Sequence, residues 1–211
     1  LHTSLSGYVG HDTYAPTSSE TLIDKGYDYW ALGHVHAREL IHQRPRIVFP
    51  GNLQGRHAKE TGAKGCEVVT VAGDQIQSEF VALDVVRWHR LAIDCSGFVR
   101  EAELIDRFHQ ALADLADEDD RLHAVRVELT GHSALQQLEA RQPGKLAAEL
   151  RGAAQDLLDV EVWLERVLVR LNAPIDRARL AEQPDAIGQL VRLVDQLAAD
   201  EPGLAAWADR E

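Results

Sequence analysis

The chain has 211 residues, 45% of them hydrophobic, with 22 Lys and Arg against 34 Asp and Glu for a formal net charge of −12. That apolar share supplies a packed core for one or two domains, and neither a membrane-spanning apolar run nor a signal-peptide pattern is present, which leaves secretion and membrane partners without support. The acidity argues against a basic nucleic-acid face over the whole chain, yet residues 1–66 carry a net +1 and residues 67–211 a net −13, so a local phosphate site stays open in the first third, around Arg38, Arg44, Arg46, Arg56, Lys59 and Lys64, whose alternative is an ordinary solvated face.

Leu1-His2-Thr3-Ser4-Leu5 reads as the end of a buried strand. With Leu at position 1 and no Met anywhere, the chain is expected to begin inside a longer reading frame; a processed mature protein is the alternative. Residues 7–18 are polar and rich in turn formers, a loop. Ser18 or Ser19 caps a short helix through Leu22 and Ile23 that ends near Gly26. Tyr27–Leu32 reads as a strand and Arg46–Phe49 as another, broken by Pro50-Gly51-Asn52, with a loop running on to Gly65. Cys66–Val71 and Gln75–Leu83 alternate apolar and polar residues about Ala72-Gly73-Asp74, a hairpin.

His89–Asp94 is a further strand, and Leu104, Ile105, Phe108, Leu112 and Leu115 give residues 100–116 a helical period. Asp117–Asp120 is an acidic turn. Ala124–Leu129 alternates as a strand, a helix around Ser133–Ala140 stops before Pro143, and another runs through Leu146, Leu150 and Leu157. Val160–Leu171 is strand-like and ends before Pro174; Asp185–Ala198 is a last amphipathic helix. The order β-α-β-α-α-β over 86–171 reads as a small α+β domain, while residues 1–85 do not look like a complete one. Cys66 and Cys95 fit no CxxC pattern, so free thiols in a reducing cytoplasm are expected.

The chemistry concentrates at Gly33-His34-Val35-His36. The pair leaves the end of a strand, whose period of two points both imidazoles the same way, and Gly33 permits a tight exit. Neighbouring neutral imidazoles suit a divalent metal, and His2 can join them. Most such pairs are surface or hydrogen-bonded histidines; the position at a strand end, where α/β proteins place their sites, favours function.

Three strings carry a resemblance: Gly10-His11-Asp12-x-Tyr14-Ala15-Pro16, Lys25-Gly26-Tyr27-Asp28-Tyr29-Trp30-Ala31-Leu32-Gly33-His34-Val35-His36, and Pro50-Gly51-Asn52-Leu53-Gln54-Gly55-Arg56-His57. They resemble bacterial calcineurin-like metallophosphoesterases, and with the lead-in Asp84-Val85-Val86-Arg87-Trp88 they resemble the SbcD/YhaO type of DNA repair exonuclease. The resemblance is dense over 1–85, looser over 86–171 and weakest over 172–211. It implies an α/β fold: the C-terminal half of a metallophosphoesterase β-sandwich core flanked by helices (1–85), a small α+β cap facing DNA (86–171), and a helical C-terminal segment for partner docking (172–211).

It further implies two divalent metal ions, usually Mn²⁺, with a bridging hydroxide that attacks the phosphodiester. Carried over by motif, His2 and His34 share one metal and His36 binds the other. Arg56 and His57 lie on a loop where phosphate contact is plausible, with a plain surface loop as the equal alternative; His11 and Asp12 are open in the same way, and Asp12 can simply stabilise its turn. The implied partners are DNA and an SbcC-like ATPase subunit, the latter through Asp185–Ala198 with Leu204 and Trp207, and a homodimer stays open. The implied location is cytoplasmic.

The family's remaining ligands come from DxH, GDxxD and GNH[DE], none of which occurs here. Gly73-Asp74-Gln75-Ile76-Gln77 lacks the second Asp, and Gly51-Asn52-Leu53 has Leu where the transition-state histidine belongs. The chain alone is therefore expected to bind Mn²⁺ weakly and to lack nuclease activity. Two other readings stand beside this one: a phosphatase or cyclic-nucleotide phosphodiesterase on the same fold, and a non-catalytic interaction module.

Overall fold

The computed structural model describes residues 1–5, 14–116, 121–156 and 161–200. His11, Asp12, the acidic turn at 117–120, Leu157, Val160, Leu204 and Trp207 lie outside them. The architecture is mixed α/β.

A short helix, α1 (Ser19–Asp24), opens the first part; Ser18 is its cap, the side chain accepting from the Thr21 N–H. Strands β1 (Tyr29–Ala31), β2 (Glu39–His42) and β3 (Arg46–Phe49) form a sheet in the order β1-β3-β2, with β1 parallel and β2 antiparallel to β3. The sequence reading missed β2, whose Glu-Leu-Ile-His is too short to show a period. Leu1–Leu5 runs parallel to the end of β1: Gly33 N–H donates to the Leu1 carbonyl at 2.8 Å, and Thr3 N–H to the Gly33 carbonyl at 3.3 Å. Leu5, Leu22, Leu32, Val35, Ile47 and Phe49 close a small core here.

Strands β4 (Gly65–Ala72) and β5 (Gln75–Ala82) pair in register as the expected hairpin. They form a separate two-stranded sheet, tied to the first by Glu67. Its side chain is 2% exposed and takes Arg38 Nε at 2.6 Å and Ser78 Oγ at 2.5 Å, with Arg46 at 3.8 Å.

The third unit runs β6 (Val86–Asp94), α2 (Glu101–Ala116), β7 (Leu122–His132), α3 (Leu135–Arg141), α4 (Lys145–Gln155) and β8 (Val162–Asn172). This is the element order the spacing predicts, but the type differs from the α+β expectation: β6-β7-β8 are parallel throughout, the arrangement that helical crossovers build in α/β units. Both crossovers step the same way across the sheet, so right-handed connections lay all three helices on one face. Leu104, Phe108 and Leu112 of α2 and Leu146 and Leu150 of α4 meet Val125, Val127 and Leu129 of β7 there. The other face carries Arg–Glu pairs (Arg126 with Glu165 at 2.8 Å, Arg170 with Glu128 at 3.0 Å) and Trp163, half-exposed.

One end of that open face is covered by the loop after β3. Trp88 Nε1 donates to the Gly55 carbonyl at 2.9 Å, Gln54 bonds the backbone at Val85 and Val86, and Ala58 packs against Trp88 and Ala124. Buried Asp84 fixes the junction through Arg87, at 2.9 and 3.1 Å. The chain ends its described part with α5 (Arg177–Ala181) and α6 (Ala186–Ala199), the latter exposing Ile187, Leu190, Leu193 and Val194. Among the described residues, no helix is long and apolar enough to cross a membrane.

Candidate functional site

The strand does not carry through the histidines. β1 stops at Ala31, and His34 has φ +107°, so the chain bends at the first imidazole. The alternation argument for His34 and His36 therefore fails: a left-handed residue breaks the period of two. The role assigned to Gly33 changes as well. Its own backbone is not left-handed, but a Cβ there would meet His2 Nδ1 at 2.9 Å. Gly33 is small because the His2 ring lies over it.

That close approach assembles an aromatic group. His2 meets His34 edge-on at 5.2 Å between ring centroids, and Tyr14 edge-on at the same distance. Tyr14 stacks on His34 at 6.4 Å. The Ser4–Tyr14 bonds, with Ser4 N–H to the Tyr14 carbonyl at 2.9 Å and Tyr14 N–H to Ser4 Oγ at 2.9 Å, fix the tyrosine beside the pair.

His36 belongs to a second group, built around a glutamate that no motif marks. Glu60 is 8% exposed. Its Oε1 lies 2.7 Å from His36 Nδ1 and accepts from Arg56 Nη2 at 3.0 Å; its Oε2 accepts from the Arg56 backbone N–H and from Asn52 Nδ2, both at 2.9 Å. Burial opposes ionisation of this carboxyl, but the Arg56, His36 and Asn52 bonds outweigh it and hold it far below the usual carboxylate range. The same contact raises the Arg56 guanidinium above its ordinary value. Gly51, at φ +81°, makes the loop approach possible: a Cβ there would meet the His36 carbonyl at 2.9 Å, the same carbonyl that accepts from Asn52 N–H at 3.2 Å.

His36, Arg56 and Glu60 line a cleft of about 340 Å³ together with His57, Lys59 and Lys64. His57 Nε2 stands 3.8 Å from Glu60 Oε1, its side chain 53% exposed. The structure thus groups His36, Arg56 and His57 on one side and His2 with His34 on another. Imidazole donors fit a first-row divalent metal. Among the described residues, however, no three of His, Cys, Asp and Glu converge as a cation site, so these histidines do not complete one by themselves. Glu60, Asn52 and Tyr14 were not legible as site residues; a lone Glu in a loop reads as solvated until its burial is seen.

Residues 88–172 match the family described as the middle domain of metallophosphoesterase YhaO. Over 115 residues the chain is 42% identical to the uncharacterized metallophosphoesterase YhaO of Bacillus subtilis (strain 168). That stretch is 54% of this chain and 27% of the relative. Both similarities support a metallophosphoesterase relationship.

Proposed function

We propose that these residues form part of a two-metal phosphoesterase of the DNA repair exonuclease type, with the middle-domain unit beside its metal-binding edge. The observation that carries this reading is the pairing of His2 with His34 next to a separate His36 anchored beside Arg56. His2 and His34 would hold one divalent ion, Mn²⁺ in the first instance, and His36 the other. When bound, such ions supply Lewis acidity and a nucleophile at neutral pH.

The chain's own residues do the rest of the work available to it. Arg56 is held on Glu60 yet 63% exposed, so its outward N–H groups suit a phosphate oxygen, and His57 lies beside it. The exposed apolar side of α6 suits docking to an SbcC-like ATPase subunit, and a homodimer is the second use of such a surface. DNA is the proposed substrate, in the cytoplasm. The DxH, GDxxD and GNH[DE] motifs that would supply the bridging carboxylate and the general acid do not occur in this sequence, so the chain alone is expected to be inactive.

Calorimetric titration of Mn²⁺ into the 211-residue chain tests this, with a duplex-cleavage assay alongside. Weak, saturable binding that His34→Ala and His36→Ala each reduce, with no cleavage, is the expected result. Absence of saturable binding would sink the metal reading; Mn²⁺-dependent cleavage by the chain alone would sink the division of labour.

A further inference from the structure

The bonds to Glu60 decide where the proton sits on His36. Two of the groups bonded to Glu60 can only donate, the Arg56 backbone N–H and the Arg56 guanidinium, and the Asn52 amide turns its Nδ2 donor to it as a third. With both oxygens already accepting, Glu60 has no proton to give. The 2.7 Å contact with His36 Nδ1 is a hydrogen bond only if Nδ1 donates.

Arg56 Nη2 also lies 3.0 Å from that nitrogen, but a guanidinium cannot accept, and one ring nitrogen cannot both donate to Glu60 and accept from Arg56. A bare Nδ1 lone pair facing a carboxylate oxygen at 2.7 Å would be repulsive. The proton therefore goes to Nδ1, and Arg56 spends its N–H on Oε1.

A neutral imidazole carries one N–H, so placing it on Nδ1 leaves the lone pair on Nε2. We propose that Glu60 is a positioning residue that locks His36 in the Nδ1–H form and holds Nε2 outward as the atom that meets a divalent cation. The His36 side chain is 47% exposed and the Glu60 side chain 9%, so the buried partner fixes the ring and the solvent-facing side is left to the ligand. Carboxylate–histidine–metal relays of this kind orient the ring and raise its basicity. Because the same carboxylate grips Arg56, the cation ligand and the proposed phosphate contact form one rigid unit. The proposal rests on the reading of His36 as a metal ligand.

The test is the ring ¹⁵N spectrum of the uniformly labelled, metal-free chain at a pH where imidazole is neutral. His36 is expected to show Nδ1 protonated and Nε2 bare; an Nε2–H ring, or an even mixture, overturns the proposal with no variant needed. Glu60→Gln, whose amide can donate as well as accept, is expected to release the proton to a mixture of forms. It should also weaken Mn²⁺ binding by calorimetry about 10- to 100-fold. Glu67→Gln, which removes a comparably buried carboxylate elsewhere, should leave the His36 form unchanged; an equal effect from it would overturn the positioning role. An Nδ1–H ring in a chain that shows no Mn²⁺ heat and no paramagnetic broadening at His36 overturns the metal reading instead.

Discussion

Among the described residues, the parallel unit from Val86 to Asn172 closes fourteen buried residues into one core, whereas the part that carries the histidines gathers six. In the first, long strands and helices bury continuous apolar stripes. In the second, strands of three and four residues are held by side-chain bonds, Glu67 to Arg38 and Glu60 to Arg56, and by a histidine in a glycine-like conformation. Apolar burial is strong but non-directional, so it makes a robust scaffold. Hydrogen-bonded carboxylates are weaker in net terms and directional, which is what placing an imidazole nitrogen requires.

The largest effect belongs to the scaffold. Phe108 is fully buried between α2 and β7, and Phe108→Ala leaves a void that the helices cannot close. A loss of about 3–5 kcal/mol is expected, read from urea unfolding. The comparison breaks if the loss is under about 1 kcal/mol, because the parallel unit would then not depend on its core.

Glu60→Ala comes next. Removing one partner of a fully buried pair costs several kcal/mol, but Arg56 is 63% exposed and returns to water, so about 1–2 kcal/mol is the expected loss at pH 7. The pH dependence has a definite sign. A carboxyl held below its unfolded value of about 4.3 contributes stability that is fully present above that value and fades as pH falls toward the folded one. The gap between wild type and variant should therefore shrink from pH 7 to pH 3. A gap that stays constant would mean that Glu60 acts through packing alone.

The same contrast explains what the sequence made legible. The order of elements in the parallel unit followed from period alone, because Leu104, Phe108 and Leu112 on α2 and Val125, Val127 and Leu129 on β7 each obey one repeat. Its parallel direction did not, since alternation looks the same in either sense. His2, His34 and His36 stand out by motif, and the expected grouping of His2 with His34 agrees with their edge-on contact, but the expected alternation of His34 and His36 does not hold: nothing in Gly33-His34 says that the histidine, not the glycine, takes the left-handed backbone. Glu60 was invisible because its burial is a property of the folded loop and not of its neighbours in sequence.

The smallest expected effect runs in the opposite direction. A non-glycine residue at φ +107° is strained, at a cost of about 1–3 kcal/mol. Glycine removes that strain but loses about 0.5–1 kcal/mol to its freer unfolded chain, so His34→Gly is expected to stabilise the chain by about 1 kcal/mol. It also deletes the edge-on contact with His2 and one proposed metal ligand, so Mn²⁺ binding should fall while the unfolding midpoint rises. Opposite changes in the two measurements are what strain retained for a ligand produces. If His34→Gly instead lowers stability as well as binding, the imidazole packs for structure, and the histidine-bearing part differs from the parallel unit in size but not in purpose.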